Sequence, residues 1–200
     1  MIVSIGIMLA FGINKCSSDL AESREAQEYK TSLIADLNEN LKSITRIIRL
    51  QERKVLELNS VLKTLDDTQA NIDSIGSILY RQRKSPTFFP ISGTFKSLVS
   101  QGEIGILNTE LKRELFNLYD TQYNRSEYNG ELYDKIYVDL YDKEIGNVID
   151  FSSHQITNPT RLATPEFRKC LLTIVDEAKS YISLMEMCKA ESEGVLQLLK

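Results

Sequence analysis

The sequence predicts an all-α chain: an elongated antiparallel bundle of long, partly coiled-coil-like helices with a short helical elbow near residues 85–108. Three observations carry this expectation. Apolar residues recur at alternating spacings of three and four from Ile34 to Ile72, the pattern that keeps one helical stripe facing a partner. Gly and Pro number only 9 and 4 in 200 residues, whereas Leu, Ile, Glu and Lys are abundant and favour helix. The helix breakers also cluster: Pro86, Pro90, Gly93, Gly102 and Gly105 fall in one stretch.

The first thirteen residues, MIVSIGIMLAFGI, carry no charge and end abruptly at Asn14-Lys15. A membrane is the natural destination of such a run. A full span needs about 20 apolar residues, and a signal peptide opens with a basic segment that is missing here. Cleavage after Gly12 and lipidation at Cys16 both fit poorly, because Ile13-Asn14-Lys15 is a poor lipoprotein box. The expectation is therefore a partial transmembrane or signal-like segment over residues 1–17, holding the C-terminal half of a span, and a helical bundle domain over residues 18–200. Gly6 and Ala10 would place small residues on one face of that segment.

The seam of the first long helix is read as Ile34, Leu37, Leu41, Ile44, Ile48, Gln51, Val55, Leu58, Leu62, Leu65, Gln69 and Ile72. Gln51, Gln69, Asn59-Ser60 and Asp66-Asp67 are polar or turn-prone places where the helix could bend or end, and a break is expected near residues 66–71. A second helical stretch with Ile72, Ile75, Ile78 and Leu79 should stop around Lys84, since Pro86 disfavours helix before it. Within the elbow, Thr94 to Ser100 reads as a short helix capped by Ser92.

Another long helix starts at Asn108 or Thr109, runs to about Ile149 and loosens at Asn129-Gly130. Its tyrosines Tyr119, Tyr123, Tyr133 and Tyr137 follow helical spacing and read as a buried seam with hydroxyls at the rim, rather than a ligand-binding wall. After the linker FSSHQITNPTRLA, Thr164-Pro165-Glu166 supplies a capping hydroxyl, a proline at the first helical position and an acid in the first turn. The last helix buries Leu171, Ile174, Val175, Ala178, Tyr181, Ile182, Met185 and Val195, and should pack antiparallel on the first.

A net charge of -4 lacks the basic excess that neutralises phosphates, so nucleic acid is not an expected partner. The local cluster Arg46, Arg49, Arg53 and Lys54 is broken by Glu52 and reads as a solvated helix face. Cys16, Cys170 and Cys188 form no CxxC pair; on one helix the last two stand about 27 Å apart and cannot bridge, while Cys16 could pair only between chains. His154 is the single histidine, lies in a linker and reads as a surface residue rather than a zinc ligand. Asp139, Asp142 and Glu144 read as solvated charge rather than a cation site. There is no P-loop, GxSxG or GxGxxG, so no enzyme and no cofactor is expected.

The order IVSIGIMLAFGIN, then DLNENLKSI, then FFPISGTFKSLVSQGEIGILNTELKRELFNLYDTQY resembles a bacterial family of single-span membrane proteins known as a domain of unknown function. Residues 88–123 are the most specific part of the resemblance. It implies an N-terminal membrane helix, an inner-membrane location and a helical domain on the periplasmic side. This chain departs from the pattern in lacking the basic N-terminal segment and the first half of the span. The family supplies no catalytic residues.

The functional expectation is a membrane-anchored interaction or scaffold protein, with a protein partner or a second copy engaged through helical seams; a small-molecule ligand is not expected. The alternative is an extracytoplasmic sensor-like bundle that holds a small ligand between helices. The candidate interaction site is the elbow, with Phe88, Phe89, Pro90, Lys96 and Gln101. A competing reading makes it a reversal of chain direction in which Phe88, Phe89, Phe95, Leu98 and Val99 plug the bundle end.

Overall fold

The structure, a computed structural model, describes the backbone of residues 2–67 and 72–200, and the side chains of residues 15, 20–67, 72 and 74–200. The side chains of the hydrophobic segment 1–14, Cys16 and the seam position Gln69 lie outside the described residues, so the anchor and the Gly6–Ala10 face stay expectations. Among the described residues no helix is long and apolar enough to cross a membrane.

Helix α1 spans Ile2–Asp66, about 97 Å at 1.5 Å per residue. It passes Gln51 and Asn59-Ser60 without a break and ends where Asp66-Asp67 was expected to end it. The buried stripe is Leu33, Leu37, Asn40, Ile44, Ile47, Gln51, Lys54, Leu58 and Val61, with spacings alternating between four and three. One row of this stripe, Leu37, Ile44, Gln51 and Leu58, coincides with the seam expected from sequence. The other row is displaced by one residue. Ile34, Leu41, Ile48 and Val55 are only half-buried, and the inner places belong to Leu33, Asn40, Ile47, Lys54 and Val61. The cationic face therefore needs correcting at Lys54, which is 2% exposed, whereas Arg46, Arg49 and Arg53 are solvated.

Helix α2 covers Asp73–Arg81, and an extended elbow then leads into α3, Gly93–Ser100. Ser92 makes no side-chain cap; the N-terminus of α3 instead donates Thr94 N–H to Asp36 Oδ2 of α1 at 3.3 Å. A 3-10 turn, Glu103–Ile106, precedes α4, Thr109–Phe116, which Asn108 caps by accepting from Leu111 N–H. The long helical run then includes a π-helical segment Asn117–Tyr123, helix α5 over Asn124–Leu140 and a second π-helical segment Tyr141–Ile145. The run is continuous through Asn129-Gly130, contrary to the expected loosening, and stops four residues before Ile149. Gly130 is needed for proximity: a Cβ there would stand 3.1 Å from the Tyr181 hydroxyl and 3.3 Å from Thr87 Cβ.

The linker is less featureless than its composition suggests. Ile149 and Ile156 form an isolated antiparallel bridge, His154 adopts φ 58°, and α6 occupies Pro159–Leu162. His154 is not a plain surface residue: it is half-buried and stacks on Tyr80 with ring centroids 3.6 Å apart. Helix α7, Pro165–Leu198, begins as its sequence predicts, with Thr164 accepting from Phe167 N–H and proline in the first turn.

α7 lies antiparallel along α1, with Arg168 near its start paired to Asp66 at the end of α1, 2.6 Å apart. Cys170 and Cys188 are buried free thiols on α7; burial pushes the first to about 12. Two apolar clusters result. One joins α1 from Leu33 to Ile47 with Phe88, α3, α4, the first π-helical segment and the C-terminal half of α7. The second joins Leu58 to Leu62 with α2, the second π-helical segment and the N-terminal half of α7. Each fully buried Leu or Ile in them is worth about 1.5–3 kcal/mol. Between the clusters α1 contributes Gln51 and Lys54, and that polar layer meets the elbow.

Candidate functional site

The elbow is extended because Pro86 and Pro90 deny helix to the residues before them, and its polar groups are matched by side chains from three helices. Gln51 Nε2 donates to the Pro86 carbonyl at 3.0 Å. Thr87 Oγ1 donates to Asp134 Oδ2 of α5 at 2.9 Å. The Phe88 N–H donates to the Tyr181 hydroxyl of α7 at 2.8 Å. Asn40 then takes Ile91 from both sides, accepting from its N–H at 2.8 Å and donating to its carbonyl at 2.9 Å. These groups would otherwise cost about 1–3 kcal/mol each if buried without a partner.

Alternation along an extended segment sends neighbouring side chains to opposite sides. Phe88 points inward, fully buried and edge-on to Tyr123 with centroids 5.2 Å apart. Phe89 points outward and is 64% exposed, and Ile91 is exposed as well. The bundle-end plug is thus correct for Phe88, Phe95 and Leu98, all buried, and incorrect for Phe89 and Val99, which are exposed.

Of the other expected site residues, Pro90 is half-buried and Lys96 is exposed. Gln101 is exposed, donates to Ser97 Oγ at 2.8 Å and accepts from Tyr29 of α1 at 3.3 Å. Tyr29 also bonds Glu103, so the end of α3 is tied to α1. Of the residues that hold the elbow, sequence reasoning passed over Asp36, Asn40 and Asp134, and placed Gln51 and Tyr181 on buried stripes without a role at the elbow. By residue type Gln51 reads as a polar interruption of the seam; its spacing from Asn40, Ile47 and Lys54 on one face is the available signal.

The tyrosine seam is buried, but its hydroxyls are not at the rim. Tyr133 donates to Gln51 Oε1 at 3.1 Å, and Tyr123 pairs with Ser192 at 2.7 Å, both inside the bundle. Burial pushes both phenols up to about 12. Lys54 enters the same layer: its Nζ lies 3.8 Å from the Tyr137 ring centroid and 3.5 Å from the Tyr133 hydroxyl. Burial pulls its ammonium down to about 7, with Asp134 opposing, and burial in turn raises Asp134. Among the described residues no three metal-ligating side chains come together.

The model of a family of unknown function, DUF6090, matches residues 1–158. The chain belongs to this family. The DUF6090 match takes in α1, the elbow, α5 and both π-helical segments, and so every residue of the polar layer except Tyr181 and Ser192. Helix α7 lies beyond it, although α7 supplies the longest packing surface for α1. No curated protein and no solved structure matches the chain.

Proposed function

We propose that this DUF6090 chain is a membrane-anchored helical interaction module, and that its elbow presents Phe89 to a protein partner. The carrying observation is the contrast between a backbone held by Gln51, Asn40 and Tyr181 and an aromatic ring left 64% exposed upon it. A pre-organised aromatic costs little entropy to dock, which is why such residues concentrate at binding hot spots. The uncharged N-terminal run supports anchoring, and the family resemblance supports an inner-membrane site with the bundle in the periplasm. A photo-crosslinking residue at position 89 should trap a defined partner in native membranes, whereas the same probe at Tyr128, 63% exposed on α5, should not. Equal trapping at both positions, or none at 89, would remove the elbow from the account.

A second reading, a ligand-binding bundle of sensor type, is favoured by the cleft beside Lys54.

A further inference from the structure

Where α1 passes the end of α2, a cleft of about 390 Å³ opens over Lys54. Arg53, Arg81, Arg83 and Lys84 also line it, against the single carboxylate of Glu57. That carboxylate is already engaged by Arg81 at 3.3 Å and by Gln82. Arg83 lies 4.3 Å from the Tyr80 ring centroid and bonds its hydroxyl, which fixes its guanidinium at the rim. Leu50, Tyr80 and Pro86 form apolar wall. Lys54 is the unusual member. It is almost completely buried, has no ion pair among the described residues, rests its ammonium on the Tyr133 and Tyr137 rings, and makes its one hydrogen bond to the Tyr133 hydroxyl at 3.5 Å, the long limit for such a bond.

We infer that this cleft binds a phosphate-bearing anion, whose oxygens meet the guanidinium groups of Arg53 and Arg83 at its mouth and draw the ammonium of Lys54 from the Tyr133 and Tyr137 rings toward its floor. Four permanently charged side chains and the titratable Lys54, around one committed carboxylate, favour a dianion over a monoanion. The volume exceeds that of a bare phosphate and leaves room for a small organic body against Tyr80 and Leu50. A soluble phosphate ester and a phospholipid headgroup share this chemistry. The cleft stands about 55 Å along α1 from residue 17, which favours the soluble source. This inference rests on the ligand-binding reading, and its failure would leave the elbow reading untouched.

Protonation gives a signature that surface charge alone would not. Lys54 faces Asp134, Tyr133 and Tyr137 of α5 and shares the cleft with Glu57 and Arg53 of its own helix, Arg81 at the end of α2, and Arg83 and Lys84 beyond it. Burial holds its ammonium near 7, so an anion bound there draws a proton onto it.

The test uses the full chain in neutral detergent. Calorimetric titration with pyrophosphate measures affinity, and titration with sulfate, which does not itself titrate near neutrality, in two buffers of different ionisation enthalpy counts protons. Binding should be at least tenfold weaker in Lys54→Met and several-fold weaker in Arg53→Gln. Proton uptake at about pH 8 should appear in the wild type and vanish in Lys54→Met, a variant that relieves a buried charge and so retains the fold. A parallel titration with short-chain phosphatidic acid separates the sources: a response there alone assigns the site to lipid headgroups. No response to any of the three anions, or affinity undiminished in Lys54→Met, overturns the inference.

Discussion

Asn40 holds Ile91 by both of its backbone hydrogen-bonding groups, its Oδ1 2.8 Å from the amide nitrogen and its Nδ2 2.9 Å from the carbonyl oxygen. A side-chain amide of α1 thereby replaces the strand partner that an extended segment lacks, and one residue fixes the elbow at Ile91. Asn40→Ala should destabilise the bundle by about 2 kcal/mol. It should also speed amide hydrogen exchange at Ile91 by more than it speeds exchange in the distant N-terminal half of α7, which feels only the loss of global stability. Unchanged exchange at Ile91 would show that the amide pair does not hold the elbow.

Gly130 and Gly194 both sit within helices but answer to different neighbours. A methyl group at Gly130 meets Tyr181 and Thr87, while one at Gly194 meets nothing within 4 Å. Alanine gains about 1 kcal/mol of helix propensity at either place. Gly194→Ala should therefore raise stability by about 0.5–1 kcal/mol, and Gly130→Ala should lower it by about 1–2 kcal/mol, because Thr87 and Tyr181 are held by the elbow bonds and yield poorly. Urea midpoints of the two variants check the pair; a gain at both positions would mean the elbow packs loosely on α5.

Lys54 makes stability depend on pH. Its folded-state value is near 7 against 10.5 when solvated, so between these limits the unfolded chain binds more protons and stability rises with pH. Below about pH 7 the destabilisation from the buried ammonium is felt in full. Urea unfolding at about pH 6.5 and 9 should show the wild type more stable at the higher pH by on the order of 2 kcal/mol, and Lys54→Met nearly indifferent. A wild type more stable at the lower pH would contradict the burial of this charge.

The parts of the fold that rest on local chemistry were legible in the sequence. Thr164-Pro165 and Asn108 cap their helices as their residue types dictate, because a side-chain oxygen beside free N–H groups needs no tertiary information. The register of α1 was legible only in half. A scan for apolar residues finds Leu37, Ile44 and Leu58, but prefers Ile34, Leu41, Ile48 and Val55 over the polar residues that share the inner row. Asn40 and Lys54 are buried because the elbow and the tyrosines of α5 supply partners, and those partners lie about 50 and 80 residues away in sequence. The π-helical turns left no mark on composition. Phe88 and Phe89 are adjacent and chemically identical, and only the direction of the elbow tells which is buried.

Those two rings separate structure from presentation. Phe88→Ala should lower stability by about 3–5 kcal/mol, as expected for a buried ring, whereas Phe89→Ala should leave the melting curve nearly unchanged.

The most direct measurement of the central claim is partner capture by the Phe89→Ala chain, crosslinked in native membranes at a second elbow position such as Ile91. The account predicts a thermal midpoint equal to that of the wild type together with loss of the trapped partner. Capture at wild-type level, with the fold intact, would contradict it.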